Sequence, residues 1–193
     1  HWEAILDAGE AGVEPIVRGA IRWLRRNPPP EPVKPAVVHG DYRSGNFLFD
    51  EEAGRITAWL DWEGASLGDR HQDLTYAAMP SFSHYAEDDK TLLASGMMSA
   101  DDFYAAYEKA SGLPVDPVRL TYYGVFNRYL IAVLTIGAAA RASRSRGTHQ
   151  DVLVNGVRMK QVMLHLTDDF SKNRQVARQN IQHVHPAQRM NNT

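Results

Sequence analysis

Asp41, Asn46 and Asp61 carry the oxygen-bearing side chains whose types and spacing could do chemistry, and they stand in HGDYRSGNFLF at 39–49 and LDWEGASLGD at 60–69. Phosphoryl transfer needs an oxygen acceptor beside the attacking hydroxyl and oxygen ligands for the Mg²⁺ ions that bridge the nucleotide phosphates. A carboxylate base at Asp41, with Asn46 and Asp61 as metal ligands, would form half of such a site.

Local elements must bring the three together. Ala36-Val37-Val38 reads as a short buried strand running into His39, and the polar stretch from Gly40 to Asn46 as a loop at its end, where loops carry chemistry. Phe47-Leu48-Phe49 and Ile56 to Leu60 read as two strands joined by a turn from Asp50 to Arg55, with Gly54 suited to the bend. Such a hairpin returns Asp61 to the neighbourhood of Asp41 and Asn46.

His39, Asp41 and Asn46 fit an H-x-D-x-x-x-x-N catalytic loop, and Asp61 follows where kinases place a metal-binding aspartate. With the following LGDRHQDLTYAA, the chain resembles the aminoglycoside/choline phosphotransferase family over at least residues 36–78. The resemblance implies an α+β, predominantly α-helical fold: a protein-kinase-like C-terminal lobe whose small β-hairpin carries the catalytic and metal-binding loops. It implies an ATP-dependent (or GTP-dependent) phosphotransferase acting on a small-molecule hydroxyl. Asp41 would accept or orient the acceptor proton, and Asn46 and Asp61 would hold Mg²⁺. His39 would support the loop rather than transfer protons, and Asp73 would brace that loop. Arg43 falls near the transferred phosphate, where a guanidinium stabilises charge, and reads equally as a solvated loop arginine.

The sequence departs from the kinase pattern at two positions. Glu63 stands where protein kinases have glycine, which leaves it room to approach metal or substrate. Arg70 stands where many relatives have proline, which puts the local turn in question. A larger departure concerns the N-terminal nucleotide lobe, with its phosphate-covering loop and strand lysine. Lys34 is the lysine upstream of Asp41, in a proline-rich approach, and Gly9 and Gly12 read as a helix break. The expectation is a catalytic and substrate lobe over 1–170, a polar tail over 171–193, and an N-terminal lobe that is absent. Two alternatives are a catalytically silent kinase-like scaffold and a phosphotransferase domain of a larger acyl-CoA dehydrogenase-linked enzyme.

Composition narrows the field. A net charge of -2 with dispersed acidic residues leaves no basic footprint for nucleic acid, so none is expected as a partner. Zero cysteines exclude disulfides and cysteine-based zinc sites. The apolar run from Tyr129 to Ala140 is too short to span a bilayer, so no membrane association is expected, and the expected compartment is the cytoplasm.

Elsewhere the pattern is helical. Val13, Ile16, Val17, Ala20, Ile21 and Leu24 recur at helical spacing before Pro28-Pro29-Pro30. Leu74 to Ala78 reads as a short helix and Pro80 to Asp89 as a loop. Ser99 caps a helix over 100–109 with Asp102 at the capping-box position, and long helices follow over about 118–142 and 149–170. Glu87, Asp88 and Asp89 could attract a cationic acceptor or form an exposed acidic loop. Arg141, Arg144 and Arg146 point to an anionic one or favour a helix C-terminus. Trp59 and Trp62 read as core packing.

Overall fold

A computed structural model of the chain describes residues 15–144, with side-chain surroundings as far as residue 135. The helix expected over 149–170, the tail, and Gly9, Gly12 and Arg146 lie outside the described residues. Backbone contacts divide the chain into two compact units, 21–127 and the flanking 1–20 with 128–193. All the described strands and all the residues expected to do chemistry fall in the first.

Helix α1 (Pro15–Arg26) buries Val17, Ala20 and Leu24, the i, i+3, i+7 stripe of its amphipathic pattern. It stops at Asn27, whose side-chain amide donates to the Trp23 carbonyl at 2.8 Å, just before three prolines that cannot continue it. Strand β1 (Ala36–Val38) then pairs antiparallel with β4 (Ser66–Gly68), Val38 opposite Ser66. The expectation that β1 is buried holds for Val38 alone. This two-stranded ribbon leaves one face open, so the facing pair Val37 and Leu67 is 65% and 80% exposed.

Strands β2 (Phe47–Asp50) and β3 (Arg55–Trp59) form the expected hairpin, Phe47 opposite Trp59, with a register shift between Leu48 and Phe49. The turn is closed by the Asp50 carboxylate, which accepts from the Ala53 N–H at 3.0 Å, and by Gly54 at φ +60°. Helix α2 (His71–Ala77) begins three residues earlier than the apolar pattern alone suggested, because the Asp69 carboxylate accepts the His71 N–H at its start. Residues 80–89 are not a plain loop. They hold a 3₁₀ turn (Pro80–Phe82) and β5 (His84–Tyr85), which pairs with β6 (Leu92–Ala94), itself paired with β7 (Met98–Ser99). Pairing of His84 with Leu93 and of Tyr85 with Leu92 overrode local polarity there. Helix α3 (Ala100–Ser111) is capped as expected, Ser99 Oγ accepting from Asp102 N–H at 3.1 Å, and it ends at Gly112 with φ +68°. Helix α4 spans Pro117–Arg144. No described helix is long and apolar enough to cross a membrane.

A buried polar cluster fixes α2 to the chain around it. The His71 Nδ1–H donates to Asp69 at 2.6 Å, and its Nε2 accepts the Asp116 N–H at 3.0 Å, a pairing that assigns the neutral tautomer. Arg119 donates to the second Asp69 oxygen and, at 2.8 Å, to the Pro30 carbonyl. Arg70 lies at φ -53°, a value proline would also hold, so the turn is the same with arginine there. Its guanidinium reaches the Pro114 carbonyl at 2.6 Å.

Burial alone would raise the Asp69 carboxyl, but the His71 N–H and imidazole and the Arg119 guanidinium outweigh it and hold it below the ordinary carboxylate range. A lowered folded-state pKa gives stability that is present above the unfolded value and lost as pH falls through the folded one. Asp69→Asn should therefore cost about 3–5 kcal/mol near neutral pH, since it removes the buried carboxylate that takes both the Arg119 guanidinium and the His71 imidazole and leaves Arg119 only the looser Asp116 carboxylate at 3.6 Å. In urea unfolding the gap to the unsubstituted chain should shrink below about pH 4. A gap that stays constant from neutral to acid pH would contradict this account.

Candidate active site

The site is built where β1 runs out. Gly40 takes φ +85°, and a Cβ there would sit 2.8 Å from the Gly64 carbonyl oxygen, so the chain can pass only as glycine. Asp73, in the first turn of α2, accepts both backbone N–H groups of this bend, from His39 at 2.7 Å and Gly40 at 3.0 Å. Burial outweighs those two hydrogen bonds and pushes the Asp73 carboxyl above its ordinary value.

His39 is 2% exposed and spends its ring on the backbone. Its Nε2–H donates to the Leu60 carbonyl at 2.8 Å and its Nδ1 accepts the Asp41 N–H at 3.2 Å, which leaves it no free nitrogen for proton transfer. The Leu60 N–H donates to the Asn46 carbonyl at 2.8 Å. Leu60 is thus tied on both sides, and the next residue is Asp61.

Asp61 adopts φ 63°, ψ 55°, a left-handed conformation uncommon outside glycine, at the head of the 3₁₀ turn Trp62–Gly64. Its side chain is exposed, as is that of Glu63 in the same turn. The Asn46 amide donates to the Asp41 carbonyl at 2.8 Å and to its carboxylate at 2.6 Å. Those bonds use the amide hydrogens and leave Oδ1 as the atom fit to ligate a hard cation. Arg43 Nε donates to both Asp41 carboxylate oxygens, at 3.1 and 3.2 Å. The structure therefore joins Asp41, Arg43 and Asn46 directly, and brings Asp61 to the same loop through Leu60. Among the described residues no three His, Asp or Glu side chains cluster as a metal cage. A two-ligand Mg²⁺ site completed by phosphate oxygens needs no such cage.

Two residues escaped the sequence reading. Tyr76 is buried, and its hydroxyl is driven far above its ordinary pKa by burial first and by its hydrogen bond to Asp41 second. It stays protonated and donates. Phe82 stacks on Tyr76, ring centroids 4.9 Å apart, and carries the Arg43 guanidinium 5.6 Å from its centroid. The signal for Tyr76 was its spacing, three residues after Asp73 on one helix face. Phe82 had none. The expected core role is met only in part by Trp59, which is half-buried and stacks on Tyr42 at 4.4 Å, and fails for Trp62, which is 48% exposed. The short hairpin leaves Trp62 on its rim, its indole N–H donating to the Trp59 carbonyl at 2.9 Å.

The bend thus carries Asp41 bonded to Asn46, on a loop braced by Asp73, with Asp61 one residue beyond the doubly tied Leu60. Residues 3–118 match the phosphotransferase enzyme family (APH), and the chain belongs to it. It is similar in structure to a Ralstonia eutropha protein assigned as an aminoglycoside phosphotransferase, with a TM-score of 0.72 and 24% identity, covering 89% of this chain and 53% of that one. A choline kinase from Streptococcus pneumoniae matches with a TM-score of 0.58 and 17% identity, over 86% of this chain and 52% of that one. These two likenesses speak for the fold. In sequence, a protein of Arabidopsis thaliana assigned as an acyl-CoA dehydrogenase is 29% identical over 152 residues, 73% of this chain and 18% of that protein. The chain thus spans about half the length of the solved relatives and under a fifth of that dehydrogenase.

The two glycines with positive φ near the site separate crowding from backbone strain. Gly40→Ala should cost about 2–3 kcal/mol, because left-handed strain adds to the collision with Gly64. Gly54→Ala has φ +60° and open space around it, so it should cost about 1 kcal/mol. Equal losses in thermal or urea unfolding would mean that the Gly40–Gly64 approach is not tight.

Proposed function

We propose that this chain is the catalytic and acceptor-binding lobe of an ATP-dependent phosphotransferase whose acceptor is a hydroxyl of a small molecule. The observation that carries the reading is the Asp41 carboxylate, held by Asn46 at 2.6 Å and by Arg43, on a loop fixed by Asp73. In the transfer, Asp41 takes the proton of the acceptor hydroxyl as the new oxygen–phosphorus bond forms and the bond to the departing diphosphate breaks. Arg43 stands where charge on the transferred group would be stabilised. Magnesium, when bound, supplies neutralisation of phosphate charge, and Asn46 Oδ1 with the Asp61 carboxylate are the atoms of this chain fit to hold it. His39 and Asp73 keep the loop in register.

The nucleotide must be covered by residues other than these. Among the described residues the lysines are Lys34, Lys90 and Lys109, and none lies on a strand. A phosphate-covering N-terminal lobe is therefore part of the proposal. The match to an acyl-CoA dehydrogenase favours a second arrangement of the same activity, as one domain of a longer multidomain enzyme.

The test follows transfer of the γ-phosphate from Mg-ATP, and in parallel Mg-GTP, to a panel of amino alcohols, sugars and aminoglycosides, using the natural polypeptide that carries these residues. Its intact mass is measured first against 21.6 kDa. Asp41→Asn should lower turnover by about 10²–10⁴-fold, the contribution typical of a positioned base, with an unchanged melting temperature. Turnover at the unsubstituted rate would overturn the assignment.

A further inference from the structure

Three side chains, Arg43, Phe82 and Tyr76, form a ring that begins and ends at the reacting Asp41 carboxylate. Arg43 Nε bridges both Asp41 oxygens, the Arg43 guanidinium lies over the Phe82 ring at 5.6 Å, and Phe82 stacks on Tyr76 with planes 23° apart. The Tyr76 hydroxyl returns to Asp41. The ring joins three separate pieces of chain: the loop after β1, helix α2 and the 3₁₀ turn at Pro80–Phe82. Gly45 clears the space, since a Cβ there would overlap Arg43 Nη1.

Without the aromatic face, Arg43 and Asp41 would be an ordinary partly exposed ion pair, the arginine side chain being 36% exposed. Such a pair is worth little, because holding a long side chain costs rotamer freedom. A ring face beneath the guanidinium raises the population of the held geometry by about two- to fivefold at a partly exposed site. Phe82 is in turn held flat by Tyr76, so the guanidinium rests on a backed surface. Asp41 engages Nε only, which leaves both Nη nitrogens unspent by it for a phosphate oxyanion.

We infer that Phe82 is a positioning residue, backed by Tyr76, that fixes Arg43 beside Asp41 with its Nη edge available to the transferred phosphoryl group. The inference rests on the proposed function for its effect on turnover, and on the Arg43–Phe82 geometry for everything else. Its test is therefore read from the protein.

In the ¹⁵N-labelled full chain the Arg43 Nε–H signal reports the bridge directly. Phe82→Leu should speed its hydrogen exchange about two- to fivefold, and Phe82→Tyr, which keeps the ring face, should restore the original rate. Gly45→Ala leaves the ring in place and pushes Arg43 off it, so the upfield ring-current displacement of the Arg43 side-chain protons should disappear. That variant carries the test if Phe82→Leu fails to fold. An unchanged Arg43 signal in folded Phe82→Leu, or an unchanged displacement in Gly45→Ala, would overturn the inference. In turnover, Phe82→Leu should lower kcat by the same factor with the nucleotide KM unchanged. Absence of any transfer in the unsubstituted protein would sink the phosphotransferase reading and leave the Arg43 signals to decide this one.

Discussion

The Asp73 carboxylate, taking the N–H groups of His39 and Gly40, is the contact on which the site depends. A bend with φ +85° at Gly40 and a carbonyl packed against its Cα cannot satisfy those two donors within its own strand pairing. They must be met from outside, and α2 meets them. Helix α2 is in turn referenced to α4 within the same unit, because buried Asn127 donates to the Gln72 carbonyl at 2.8 Å and to Thr75 Oγ1 at 2.9 Å. The loop's position is thereby set by helices that do no chemistry. From it follow the His39 ring, the Leu60 clamp and the location of Asp61.

Asp69 and Asp73 stand four residues apart and are shifted in opposite directions, for a physical reason that bears on the site. Asp69 has a guanidinium and an imidazole N–H as partners, which favour its charge despite burial. Asp73 has backbone N–H groups, too weak to offset the desolvation. Bracing with neutral dipoles leaves the field at Asp41 to Arg43, Asn46 and whatever ligand arrives.

The parts legible in the sequence were those with a local signature. The hairpin, the Ser99 cap, the long α4 and the spacing of His39, Asp41 and Asn46 could be read because turn chemistry, capping and periodicity act within a few residues. What could not be read depends on which partners a segment finds. Polar residues 84–85 become a strand because Leu92 and Leu93 lie opposite them. Val37 is exposed because β1 has a single neighbour, and no window of sequence reports how many neighbours a strand will have. Tyr76 and Phe82 meet Asp41 and Arg43 across more than thirty positions of chain, and apart from the spacing of Tyr76 from Asp73 on α2 nothing local marks them.

The charge hints on the acceptor look different once side chains are placed. Asp88 accepts from the Lys90 and Thr91 N–H groups through one oxygen and from the Thr91 hydroxyl through the other, and these bonds hold its carboxyl down at about 2. The turn itself thus engages both oxygens of the middle residue of the Glu87-Asp88-Asp89 run, which gives that carboxylate a structural part in closing the loop. What surrounds Asp41 instead is aromatic surface with one guanidinium: Tyr76, Phe82 and Arg43 on one flank, and Tyr42 stacked on Trp59 close by along the chain. Flat apolar walls select by shape more than by charge. On the proposed function, an acceptor hydroxyl reaching Asp41 would bring the body of its molecule against those walls, with Arg43 at the reacting end.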